Sequence, residues 1–261
     1  MNTPVRILEQ IRAVTQLVNA GAQKPALRIT TNVPDAPLPV TASKFGGVPY
    51  LPAGADAPLG SDGRPLGMIA QINCAELPKN TIYPESGMLQ FWLNPRHPQW
   101  GMNINDGLPG ADARVIYWEE LGAASPHACA VEANWEEHHW PIDPPTREIS
   151  LIFGPPETPD PMLTWGDHER FIEIWNELYP DQVIEEIEEL EDLVEEAEED
   201  EDILSAIADE AGYHQLGGYP VFFDDDPRRN NPELEEYTVN LLTMGSEAPS
   251  SCGETPGTQT G

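Results

Sequence analysis

Five polar side chains in this sequence are candidates to meet a ligand: Lys44, Gln71, Asn73, Asp226 and Arg228. Lys44 is a rare cation in an acidic chain, one of three lysines with Lys24 and Lys79. It stands directly before Phe45 and the pair Gly46-Gly47. Gln71 and Asn73 fall in or at the end of an apolar run, Leu66 to Asn73. A buried amide there must find a hydrogen-bond partner, in the glycine loop or in a ligand. Asp226 and Arg228 flank Pro227 and carry the charges to hold an anionic ligand or each other. Gly46-Gly47, and a second pair Gly217-Gly218, would either cradle an anion through backbone N–H groups or supply the positive φ of a turn before a strand. Neither pair is followed by Lys-Ser/Thr or by a third spaced glycine, so neither is a phosphate loop.

Other chemistry finds no constellation. The histidines at 97, 127, 168 and 214 are scattered, and the adjacent His138-His139 diverge in any regular element. There is no His-Glu-x-x-His and no Cys/His cluster, so the expectation is no metal and no cofactor. No Gly-x-Ser-x-Gly elbow marks a nucleophile, and no catalytic residue is assigned. A formal charge of −32 argues against nucleic acid and against an anionic membrane surface, because both need clustered Lys and Arg. Three unpaired-looking cysteines and the lack of an apolar leader or a long apolar span point to a reducing, cytoplasmic setting. An unknown protein partner is the kind of partner left open.

The elements that would position these residues read as follows. Residues 3 to 20 predict a helix, with Pro4 at its first turn and Gly21 at its end. Strands are expected near 25–31, 66–73, 88–93 and 113–118, with further candidates at 129–135 and 146–153. Residues 167–210 differ in kind, holding twenty Asp and Glu against one basic residue, Arg170. Their apolar positions repeat at helical spacing: Phe171, Ile174, Trp175 and Leu178, then Val183, Ile184, Ile187, Leu190 and Val194. Two or three helices are expected there, each with one packed face and an acidic outer face. A last strand is expected over 237–244.

The two glycine pairs also mark an internal repeat. Gly46-Gly47-x-Pro49 falls on Gly217-Gly218-x-Pro220, and Ile69 to Ile72 falls on Leu241 to Met244. The separations agree within one residue, 24 from Gly47 to Gln71 and 25 from Gly218 to Thr243. The fold class expected is therefore α+β, with antiparallel sheets from an internal duplication, an N-terminal helix, and an acidic helical segment between the repeats. Its bounds are one domain over about 1–246, a first repeat at about 25–153, the acidic helices at about 167–210, and a second, incomplete repeat at about 212–246.

Ser43 to Pro52, Pro65 to Asn73, Pro84 to Trp92 and Leu216 to Pro220 together resemble the YwqG-like family, a bacterial domain of unknown function. The resemblance covers roughly residues 25–246 and implies an α+β protein built on antiparallel sheets. It also implies Gln where this chain has Thr243, and a closing Trp-Gly-Asp-Ala-Gly stretch before a last apolar strand. Residues 247–261 show neither. The codons allowed for Ser251 to Gly257, read two bases later, permit Met-Trp-Gly-Asp-Ala-Gly, so residues 247–261 are expected to be an aberrant, frameshifted tail. The functional expectation is a non-enzymatic binding or protein-interaction module, of which an immunity-type protein is one version. The alternative is an enzyme acting on a small polar substrate in a cleft between the repeats.

Overall fold

The computed structural model describes residues 6–18, 24–97, 111–130, 147–158, 167–197, 214–220, 228, 231–234 and 236–245. Seven strands form one sheet: β1 (Ala26–Asn32), β2 (Lys44–Phe45), β3 (Gly67–Asn73), β4 (Met88–Leu93), β5 (Ala113–Trp118), β6 (Ile149–Glu157) and β7 (His214–Gly217). Their order is β5-β4-β3-β2-β6-β1-β7. Three α-helices, α1 (Ile7–Val18), α2 (His168–Leu178) and α3 (Glu189–Glu196), and two single 3-10 turns, Cys74–Glu76 and Pro232–Leu234, complete the described elements. The class is α+β with antiparallel pairing.

The chain divides into two compact units, one of Met1–Arg28 with Glu157–Glu247 and one of Ile29–Pro156 with Ala248–Gly261. The second unit holds most of the sheet. β3 is an apolar run buried over six of its seven residues, as an interior strand with neighbours on both edges should be. β4 pairs with it antiparallel, Met68 opposite Trp92 and Gln71 opposite Gln90, with a bulge between Met68 and Ala70. β5 ends the sheet and alternates, leaving Val115 and Tyr117 exposed. β2 is only two residues long because Gly46 and Gly47, at φ 64° and 72°, turn the chain out of the ladder. Only glycine adopts that conformation at no steric cost.

The first unit packs α1, α2 and α3 around their apolar stripes. Leu8, Ile11 and Val14 of α1 meet Phe171 and Trp175 of α2 and Leu190 and Val194 of α3. Trp175 stacks on Phe171 at 5.9 Å, and its indole N–H donates to Gln182 O at 2.6 Å. The expected helical stripe breaks at its middle. Residues 183–188 are not helical; Asn176 instead clamps Ile184 through both its N–H and its C=O, at 2.9 and 2.8 Å. Val183 and Leu178 are consequently exposed, while Ile184 and Ile187 stay in the core.

The strand expected over 237–244 is reduced to one antiparallel bridge, Gln215 to Thr243. The reason is local: Asn240 directs its amide onto Gly217 O, Tyr219 O and Thr243 Oγ1, so a side chain takes carbonyls that a continuing ladder would have used. Asp226, the tail 247–261 and most of the strand candidate at 129–135 lie outside the described residues.

Candidate functional site

Lys44 is fully buried on β2 and donates to Glu148 Oε1 at 2.6 Å. Glu148 stands just before β6, beside β2 in the sheet, and its side chain is 17% exposed. Its other oxygen accepts from Leu38 N at 2.9 Å. An ammonium has three N–H donors, and Glu148 is the one acceptor that Lys44 finds among the described residues. Gly47 is what makes room for this pair. A Cβ there would collide with Glu148 Cγ and come within 2.8 Å of Oε1.

Both amides singled out in the apolar run have hydrogen-bond partners within the fold. Gln71 lies directly opposite Lys44 in the β2–β3 ladder and is fully buried. Its Oε1 accepts from Tyr50 N at 2.8 Å, and its Nε2 donates to Val40 O and Ala42 O at 2.7 Å each. Asn73 donates from Nδ2 to Thr41 O at 3.0 Å and accepts from Ala75 N at 3.2 Å, capping the short turn Cys74–Glu76. Gln71 therefore fastens the segments on either side of the glycines, and Asn73 fastens the one before them. Gln90, one strand further on, continues the row by donating to Tyr50 O and Gln71 Oε1 and accepting from Trp118 Nε1.

The remaining polar groups nearby hold structure. Ser43 Oγ accepts from Asn73 N at 2.8 Å, and burial pushes the Cys74 thiol up from its ordinary range. At another corner of the same unit, Asp112 accepts from Ser61 N, Ser61 Oγ and Asn94 Nδ2 at 2.9, 2.7 and 2.7 Å. Burial alone would raise its pKa, but these hydrogen bonds outweigh it and the carboxyl lies below its usual value. Asp62, gripped by Arg96 and Arg64, is held far lower. Together they pin the turn 58–65.

In the other unit, Arg228 donates to Tyr237 O at 3.2 Å. The second glycine pair has the same backbone conformation as the first and some like contacts. Gly217 and Gly218 take φ 73° and 71°, Gln215 opposes Thr243 as Lys44 opposes Gln71, and His214 Nδ1 accepts from Gly245 N as Ser43 Oγ accepts from Asn73 N. A Cβ on Gly218 would meet the Gln215 amide and then Ala26, where one on Gly47 meets Glu148. Gln215 thus holds the ladder position of Lys44, with no carboxylate over the glycine. Neither Gln215 nor Glu148 was marked by a local signal in the sequence.

Among the described residues no group of three His, Cys, Asp or Glu is arranged to hold a metal ion, and no helix is long and apolar enough to cross a membrane. The molecule is an α+β protein whose buried polar corner is built around a lysine on a two-residue strand. It belongs to the family described as "Domain of unknown function (DUF1963)", which matches residues 43–254. No curated relative matches the chain.

Proposed function

We propose that this chain is a non-enzymatic binding module made of two copies of one strand–glycine loop–strand unit, and that the first copy offers the Lys44–Glu148 corner to a small polar ligand. The observation that carries the reading is the Lys44 ammonium: it is fully buried and, among the described residues, has a single acceptor, Glu148, for its three N–H donors. A buried cation short of acceptors is costly, and a ligand that brings acceptors would offset that cost. The ligand class follows from charge. Glu148 already neutralises Lys44, and the chain carries −32, so the fitting ligand is neutral or zwitterionic and presents a carbonyl or hydroxyl acceptor.

The duplication is supported by the matching bridge positions Lys44–Gln71 and Gln215–Thr243, by the glycine conformations and by the side-chain to backbone contacts of Ser43 and His214. These features also agree with the YwqG-like resemblance of the motifs. The non-enzymatic reading is supported by the use to which nearby groups are put: Ser43 Oγ is an acceptor within the fold, and the buried Cys74 is kept from its thiolate. The test is a thermal-shift panel of free amino acids, primary carboxamides and monosaccharides on the full chain. At least one member is expected to raise the Tm of the wild type and not of Glu148→Gln. A panel with no such member, or with shifts that survive the substitution unchanged, overturns the assignment.

A further inference from the structure

We propose that the corner around Gln215 is a second ligand site, and that it takes an uncharged hydrogen-bond donor, a hydroxyl or a carboxamide N–H. Gln215 is 3% exposed on β7. Its Nε2 donates to Tyr219 O at 3.3 Å, and its Oε1 has no hydrogen-bond partner among the described residues. The amide cannot be turned to remove the problem, because Tyr219 O only accepts and would then face another acceptor. A buried carbonyl left without a donor costs about 1–3 kcal/mol.

The two corners differ in what lies over the glycine. In the first, a lysine reaches a carboxylate that lies over Gly47. In the second, Gln215 holds the ladder position of the lysine, its own amide lies over Gly218, and the next contact is the uncharged Ala26. A point one bond above Gly218 lies 3.0 Å from both Gln215 Oε1 and Gln215 Nε2 and 3.2 Å from Ala26 Cβ, so the amide of Gln215 lies over the glycine. Among the described residues around it, Gly217 O, Tyr219 O and Thr243 Oγ1 already accept from Asn240, which leaves Oε1 as the acceptor still to be met. What fits is a donor, and an uncharged one, because the Lys24 ammonium sits 5.6 Å from the centre of the Tyr219 ring and would repel a second cation.

This inference rests on the contacts of Gln215 and stands whether or not the Lys44 corner binds. Its test is NMR titration of the ¹⁵N-labelled full chain with acetamide, using N,N-dimethylacetamide, which has the same carbonyl and no N–H donor, as control. The expected result is saturable movement of the Gln215 side-chain amide and the Gly218 amide with acetamide, and at least a tenfold smaller response to the control. Gln215→Met should lose the response while the Gln71 side-chain amide keeps its shift. If that variant does not fold, the wild-type comparison of the two amides decides alone. Equal responses to both compounds, or no saturation with acetamide, overturn the proposal. So does a crystal soaked in acetamide in which one water fills the position beside Oε1.

Discussion

Replacing Gly47 with alanine separates what the glycine does for its own backbone from what it does for the ion pair. At φ 72° an alanine is strained by roughly 1–2 kcal/mol whatever its surroundings. The added Cβ also takes the position of the Glu148 side chain, which must then leave Lys44. Stripping a buried cation of its partner costs about 3–5 kcal/mol, and the partial exposure of Glu148 argues for the lower end. The predicted loss is about 4–5 kcal/mol in all. Gly54 provides the control: its φ is 84° and nothing lies within 4 Å of its added Cβ, so Gly54→Ala should cost only the backbone part, about 1–2 kcal/mol. Urea denaturation followed by tryptophan fluorescence and by circular dichroism, with coincident transitions, measures both. A Gly47→Ala protein no less stable than Gly54→Ala would refute the idea that this glycine exists to seat Glu148.

Further outcomes follow from the same geometry. Lys44→Met alone and Glu148→Leu alone should each destabilise by about 3 kcal/mol, whereas the double substitution should recover most of the loss, since no charge is left unpaired; a double-mutant cycle with no coupling energy contradicts this. Gln71→Ala removes the acceptor of Tyr50 N and the donor to two carbonyls, and should cost about 3 kcal/mol in urea denaturation. Asp62 and Asp112 both have folded pKa values below their ordinary 3.8. Their contribution is therefore complete above that value and is lost as pH falls through the lower folded values. The urea midpoint should drop as pH falls below about 4, and less steeply in Asp112→Asn; equal slopes would exclude Asp112 as a source.

How much of this was legible in the sequence depended on the range of the interaction. β4 and β5 fall on the residues expected, because an apolar run bounded by turns carries its own signal. The glycine conformations were legible for the same reason, as a property of single residues. Lys44, Gln71 and Asn73 were each singled out by residue type, and the ladder sets Lys44 opposite Gln71, but Glu148 lies 104 residues from Lys44 and nothing near either announces the other. Residues 183–188 show the opposite failure. Their apolar spacing suits a helix, yet the clamp between Asn176 and Ile184 holds them in a turn and leaves Val183 60% exposed. Residues 237–244 likewise had a strand's composition, and Asn240 diverted the carbonyls such a strand would have paired with.

The double glycine before Pro49 thus reads as the seat of a buried ion pair, and the central claim is that this pair meets a ligand. The most direct measurement observes the Lys44 ammonium itself, through its side-chain ¹⁵N–¹H signal, while the full chain is titrated with the amino acids, carboxamides and monosaccharides of the thermal panel. At least one of them is expected to move the Lys44 signal saturably and to slow its exchange with water, as its acceptors take up the remaining N–H donors. A Lys44 signal unmoved by every member contradicts the claim.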